Sequence, residues 1–201
     1  MQNNHYYSKT QENVESKPSQ YVFNFRDNKF IFHTDNGVFS KDYIDYGSFV
    51  MLKSFVPNNI IDYPILDMGA GYGPIGIVVS KLYNRQTIMC EINERAYNLI
   101  LKNINENKVD AKAFHSDLYE KVLDMKFSSI ITNPPIRAGK TTVYAIYDGA
   151  YDKLVSGGEL WVVIQKKQGA PSSKEHLLSV FGNCEVVNKD KGYYILKCVK
   201  K

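Results

Sequence analysis

From Pro64 onward the chain repeats one texture: a short apolar run, a turn, then a stretch with apolar residues at helical spacing. The runs fall at Ile65–Met68, Thr87–Glu91, Ala111–His115, Ser128–Thr132 and Leu160–Ile164. Helical periodicity occupies Ile75–Tyr83, Glu94–Asn107 and Thr142–Val155. Short apolar strands separated by amphipathic helices belong in a parallel sheet that is covered on both faces. The end of the chain departs from this. After a helical stretch at Ser173–Phe181, the runs Cys184–Val187 and Tyr193–Val199 flank a turn at 188–192 and predict a hairpin, which adds an antiparallel edge. The expected fold is therefore α/β, with a seven-stranded, mostly parallel sheet, an antiparallel C-terminal hairpin strand and helices on both faces.

Upstream, residues 1–20 are polar and weakly patterned, as expected of a flexible arm. Tyr21–Phe25 and Phe30–Phe32, joined by the turn 26–29, predict a small N-terminal β-hairpin. Its alternating Phe23, Phe25, Phe30 and Phe32 read as packing. The loop "TDNGVFSKDYIDYG" then leads to a helix over Ser48–Phe55. A length of 201 residues suits one domain with a substantial core. The expected organisation is an arm (1–20) and a single domain (21–201), with hairpin and helix in 21–58 and the α/β core in 60–201.

Hydrophobic content of 44% and charged content of 23% are ordinary for a globular chain. No stretch approaches the length and apolarity of a membrane span and the first residues carry no apolar signal region, so a cytoplasmic protein without a membrane partner is expected. Cys90, Cys184 and Cys198 are too scattered for a disulfide framework, and His5, His33, His115 and His176 have no metal-ligand spacing, so no structural metal is expected. Net charge is unevenly spread. Residues 1–120 hold 12 Lys/Arg against 14 Asp/Glu, whereas residues 121–201 hold 13 against 7. An anionic partner meeting the C-terminal half is one reading of that asymmetry, and a solvated basic face is the other.

The segment "ILDMGAGYGPIGI" is a strand, a glycine-rich turn and a helix opened by Pro74. Gly69, Gly71 and Gly73 let the backbone approach a ligand closely. Gly71, Gly73 and Gly76 also fit the dinucleotide pattern G-x-G-x-x-G, in which a helix N-terminus faces pyrophosphate. Asp67, however, stands at the strand end before the glycines, where a fixed negative charge repels phosphate. It suits a ligand with a free ammonium and no phosphate, which favours S-adenosylmethionine over NAD. The next strand ends at Glu91, followed by Ile92, a little over twenty residues beyond Gly69. An acidic side chain there can accept from both ribose hydroxyls. After the third strand come Ser116, Asp117 and Leu118, and Asp117 could accept from an adenine amino group.

The fourth strand ends in "TNPPIRAGK". Asn-Pro commonly just stops a strand and starts a turn. If a methyl donor lies over the first three strand ends, the loop acquires a second use. Asn133 would border the donor, and its side-chain oxygen and the Pro134 carbonyl could each accept from an exocyclic amine, turning the nitrogen lone pair towards the methyl group. Orientation of this kind supplies up to about 7–11 kcal/mol in the best intramolecular models. No strong base is needed, because the nitrogen becomes acidic only once methylated.

The combination of DMGAGYG, the strand-end Glu91 and TNPPI resembles the class I S-adenosylmethionine-dependent methyltransferases that act on amino groups. "DNGVFSKDYIDYGS", "GGELWVVIQKKQGAP" and "VFGNCEVVNKDKGYYILK" narrow the resemblance to the catalytic domain of the RsmC-type methyltransferases, over about residues 20 to 200. That resemblance implies a Rossmann-like seven-stranded fold, S-adenosylmethionine as donor, and transfer to the N2 amino group of a guanine in small-subunit ribosomal RNA. It also implies a catalytic loop of Asn133, Pro134, Pro135 and Ile136. Longer members carry a second, degenerate methyltransferase-like domain, and the chain resembles the short single-domain form. It departs at Ile136, where many relatives place an aromatic that stacks on the base.

Ribosomal RNA or the small ribosomal subunit is then the expected partner, with the target guanine flipped or unpaired. Arg137 and Lys140 follow the catalytic loop, and Lys166, Lys167 and Lys174 follow the fifth strand, as candidate phosphate contacts. Phe39 could cover the base or the donor, and Asp45 and Gly47 could line the donor pocket. A protein glutamine N5-methyltransferase uses a similar Asn-Pro-Pro loop, usually ending in Tyr, and is the rival enzyme. A non-catalytic RNA-binding relic would have lost part of Asn133, Glu91 and the glycine turn.

Overall fold

The computed structural model describes residues 14–201. Its centre is a seven-stranded sheet assembled from β3 (Ile65–Met68), β4 (Thr87–Glu91), β5 (Ala111–His115), β6 (Phe127–Thr132), β7 (Leu154–Gln165), β8 (Glu185–Asp190) and β9 (Tyr193–Val199). The spatial order is β5-β4-β3-β6-β7-β9-β8, parallel from β5 to β7, with β9 antiparallel to both β7 and β8. Every residue of β3, β4 and β6 is buried, as the continuous apolar runs require of strands covered on both sides.

Alternation within the strands divides the core in two. Ile65, Met89, Ile131, Trp161 and Val163 face α1 (Tyr46–Ser54), α2 (Pro74–Tyr83) and α3 (Glu94–Asn107). Leu66, Ile88, Ile130, Leu160 and Val162 face α4 (Lys140–Lys153) and α5 (Ala170–Phe181). Each such side chain, fully buried, is worth about 1.5–3 kcal/mol, so the two-sided pattern pins the register of every central strand. A strand expected at Leu160–Ile164 begins instead at Leu154, and helix α4 stops at Lys153 rather than Val155. The Gly157-Gly158 pair reads as a breaker, but at Gly158 the chain runs so close to its neighbours that a Cβ would lie 2.9 Å from the Val155 carbonyl. Glycine there permits strand continuation through an irregular pairing with β6.

A separate hairpin, β1 (Ser19–Phe25) and β2 (Asn28–Thr34), turns through Arg26 and Asp27, both at positive φ. That is a two-residue turn of the kind whose twist matches a hairpin, tighter than the four residues expected. Phe25, Phe30 and Phe32 are buried and Phe23 packs half-buried beside them. Two buried asparagines of α3 tie the hairpin to the domain. Asn103 exchanges hydrogen bonds with the His33 backbone (2.7 and 3.0 Å), and Asn107 does the same with Ile31 (3.0 and 2.9 Å). These amides stand in for a neighbouring strand along the outer edge of β2. Of the arm expected over 1–20, residues 1–13 lie outside the described residues. Ser19 and Gln20 belong to β1, and Ser16 and Lys17 bond the Asp35 carboxylate (2.6 and 2.5 Å).

Candidate active site

The carboxyl ends of β3 to β7 share one edge of the sheet, and the strand order reverses between β3 and β6. Open α/β sheets bind ligands at such a switch point. An open cavity lies there, with Asp67, Gly69, Gly71, Glu91 and Asn133 among its lining residues and Phe39 at one side. A second cavity adjoins it, with Ser116, Asp117, Leu118, Ala138 and Thr142 among its lining residues. Gly69, Ile92 and Pro135 line both, so the two form one continuous groove.

The floor is acidic and buried. Asp67 is 1% exposed, and its Oδ2 accepts from the Gly76 amide at 2.8 Å. A Cβ at Gly76 would lie 2.6 Å from the Met89 sulfur and 3.2 Å from Asp67 Oδ2, so only glycine allows this approach. The third glycine of the G-x-G-x-x-G pattern thus serves a carboxylate rather than a pyrophosphate. Burial pushes the Asp67 carboxyl up to about 7, against the Gly76 hydrogen bond and with help from the neighbouring Glu91 charge. Glu91 is 7% exposed. Its Oε2 accepts from Gly71 at 2.7 Å and its Oε1 from Asn93 at 2.8 Å, so one side chain clamps the glycine turn to the start of α3. Burial raises its carboxyl to about 7, opposed by those backbone N–H bonds. Gly69, Gly71 and Gly73 all take positive φ (73°, 60° and 93°), which holds the turn open above the two acids.

The Asn-Pro-Pro loop forms the opposite wall. Thr132 Oγ1 donates to the Met68 carbonyl at 2.9 Å, locking the end of β6 to β3. Asn133 then projects its amide into the cavity. Its Nδ2 donates to both Asp45 oxygens (3.2 and 3.3 Å) and to Ser48 Oγ (3.1 Å), so its oxygen is the end left for a ligand. The Pro134 carbonyl accepts from Ile136 N at 2.9 Å and keeps its second lone pair.

Other expected site residues sit differently. The Ser116 hydroxyl donates to Leu118 O and accepts from Lys121 N, so it shapes the turn beside the cavity. Ile136 lines neither cavity; it opens the short 3₁₀ turn Ile136–Ala138 and packs against the α4 side of the core, while Ala138 and Thr142 face the groove. Gly47 is buried, and a Cβ there would lie 2.8 Å from the Tyr193 ring, so it packs against β9 instead of the cavity. Arg137, Lys140, Lys166 and Lys167 are exposed on the active-site edge. Lys174 is not among them. It lies near Cys184, whose thiol is held below its usual value first by Cys198 and then by Lys174. Sequence reading missed three residues of this edge. Tyr46 packs against Tyr193 with the rings tilted by 55° (5.7 Å between centroids), and Lys191 lies 4.9 Å above the Tyr46 ring. The Lys166 amide bonds the Gly192 carbonyl at 2.8 Å, which joins this group to the basic turn after β7. The "KDKGYY" stretch carries the signal, but by local rules it is only a turn.

Strand order, glycine turn and acidic floor define a class I methyltransferase fold, with S-adenosylmethionine as its cofactor. The cavity suits that group on its own chemistry: buried carboxylates face a cationic ligand, and among the described residues no basic side chain lines the cavity to welcome a phosphate. The chain belongs to the methyltransferase small domain family, whose model matches residues 29–197. It is 45% identical over 199 residues to YbxB of Bacillus subtilis, an uncharacterized protein, covering 98% of both chains. It is 26% identical over 192 residues to the ribosomal RNA small subunit methyltransferase C of Vibrio cholerae, covering 93% of this chain and 54% of that one. The fold matches that of the Thermus thermophilus 16S rRNA N2 G1207 methyltransferase (RsmC), solved with AdoMet and guanosine, at a TM-score of 0.83 and 24% identity. That match covers 93% of this chain and 52% of the other, so the chain spans about half the length of these named methyltransferases. Among the described residues no helix is long and apolar enough to cross a membrane, and no three His, Cys, Asp or Glu side chains group as metal ligands.

Proposed function

We propose that this protein methylates the exocyclic N2 amino group of a guanine in small-subunit ribosomal RNA. The observation that carries the reading is the Asn133 amide, held at the end of β6 with its NH₂ occupied by Asp45 and Ser48 and its oxygen left for the cavity. In this reading Asp67 and the glycine turn take the amino-acid end of the donor, Glu91 and Ile92 the ribose, and Asp117 the adenine. Phe39 covers the mouth. When bound, S-adenosylmethionine supplies a methyl group activated by a sulfonium that leaves as a neutral thioether.

The chain's part is positioning. Asn133 Oδ1 and the Pro134 carbonyl accept the two N–H bonds of the guanine amine. Its lone pair is thereby turned out of conjugation and towards the methyl carbon. Methylation makes the nitrogen acidic; the same two acceptors hold the N–H until water takes the proton. Pro134 and Pro135 keep the acceptors still, since each fixes its own φ. Arg137, Lys140, Lys166, Lys167 and Lys191 are placed to neutralise phosphates, with Tyr46 and Tyr193 as a platform for a neighbouring base.

The test is methyl transfer from labelled S-adenosylmethionine to unmodified small-subunit RNA and to assembled small subunits, followed by digestion to nucleosides and mass spectrometry. Labelled N2-methylguanosine is expected. Label in another nucleoside overturns the base assignment. Label only in a glutamine-containing peptide moves the protein to the rival class.

A further inference from the structure

An asparagine amide has two ends of similar shape and opposite function. Its oxygen accepts hydrogen bonds and its NH₂ donates them. Asn133 can orient an amine only if the oxygen faces it, because a half-turn about the terminal torsion would set donors against donors. Local chain geometry does not select between the two, since the terminal torsion of Asn is broad and roughly two-fold. Something outside β6 must choose.

We propose that Asp45, assisted by Ser48, is the positioning group that sets which end of the Asn133 amide meets the substrate. An ionised carboxylate can only accept, so the side chain 88 residues upstream demands the NH₂ end. Both Asp45 oxygens lie within 3.3 Å of Asn133 Nδ2, and Ser48 Oγ offers a third contact at 3.1 Å. A flipped amide would press its oxygen against the carboxylate. Asp45 is itself anchored: it is the N-cap of α1, with φ −64° and ψ 154°, and its Oδ1 accepts from the Gly47 and Ser48 amides (2.9 and 3.2 Å). The dipole of α1 favours the negative charge there. Helix capping alone would not need a carboxylate, since Asn caps helices about as well as Asp. The inference deepens the amino-group reading and rests on it.

The test uses the full chain and three variants: Asp45→Asn, Asn133→Asp and the double substitution. Asp45→Asn keeps the cap and the shape but lets Asn133 turn over. Its kcat should fall about 100-fold, as for a misplaced reacting group, with melting temperature nearly unchanged. Asn133→Asp sets two carboxylates face to face and should lose at least as much. In the double variant the amide introduced at position 45 donates to the carboxylate introduced at position 133, which keeps a free oxygen for the amine. Its kcat should recover by about 10-fold or more over Asn133→Asp, a coupling expected only of partners in contact. A merely structural Asp45 would give no such rescue. Wild-type kcat in Asp45→Asn, or a double variant no better than its worse parent, overturns the proposal. A second readout needs no substrate. The Asn133 side-chain NH₂ signals in a ¹⁵N–¹H spectrum, assigned by their loss in Asn133→Asp, should exchange slowly with water in the wild type and quickly in Asp45→Asn. Equal exchange also overturns it. If the wild type methylates no RNA, the functional reading fails by itself while the spectrum still decides the orientation.

Discussion

Replacing Asp67 by Asn should flatten the dependence of stability on pH. In the unfolded chain this carboxyl ionises near 3.8, whereas burial beneath α2 and the nearby Glu91 charge, opposed by a single backbone bond, raise it to about 7 in the folded protein. Between those values the native state holds a proton that the unfolded state has released. Raising pH through that window therefore lowers stability, the reverse of the usual salt-bridged carboxylate. One extra bound proton corresponds to about 1.4 kcal/mol per pH unit. From pH 4.5 to 6.5 the Asp67 contribution is about 2–3 kcal/mol. Glu91, raised to about 7, adds a loss of the same sign. Asp67→Asn keeps an oxygen for the Gly76 amide and removes the titration. Urea unfolding at half-unit steps of pH should give a wild-type curve that falls more steeply than the variant's by about 1.4 kcal/mol per unit around pH 5.5. Parallel curves would refute the reasoning. The same linkage makes donor affinity rise as pH passes through 7, because a cationic ligand meets the pair in its ionised form.

Asn133→Ala should lower kcat by about 10²–10³-fold, the cost of losing one preorganised polar contact at a reacting centre, while calorimetric donor affinity stays within about threefold. Glu91→Ala removes the acceptors of the Gly71 and Asn93 amides and should weaken donor binding by at least about 10-fold; unchanged affinity removes Glu91 from the donor site. Replacing Lys166, Lys167 and Lys191 together by Ala should weaken RNA binding and reduce the slope of log affinity against log salt by about 0.7 per lost phosphate contact, with calorimetric donor binding unaffected. Tyr72→Phe deletes the hydroxyl that meets Tyr21 Oη at 2.7 Å and the Ser40 carbonyl at 3.2 Å, and should cost about 1–2 kcal/mol of unfolding free energy.

The architecture was legible where the chain obeys period rules. Short apolar runs, buried on both faces, announced β3, β4 and β6, and Asp67, Gly69, Gly71, Glu91, Asn133 and Pro134 all fall at strand ends, where a turn signal follows an apolar run. Local rules determine such positions because strand direction and sheet handedness carry the carboxyl ends of the parallel strands to one edge. Ile136, Gly47 and Lys174 were misplaced because adjacency in sequence does not say which side a turn presents. The 3₁₀ turn leaves Ile136 half-buried against the α4 side of the core, and the α5 surface carries Lys174 towards Cys184. Asn103 and Asn107 could be placed on α3 by periodicity, but their service as a surrogate strand beside β2 depends on where the hairpin lands.

By itself, then, the sequence determined the sheet, the glycine turn with its acidic floor, and the rigid Asn-Pro-Pro loop, since each follows from residues within a few positions of one another. Only the tertiary structure decided that Asp45 lies against Asn133, that Glu91 grips Gly71, and that Tyr46, Lys191 and Lys166 share one edge. Those pairings join polar atoms far apart along the chain, and a polar atom's partner is chosen by packing, on which hydrophobic periodicity carries no information.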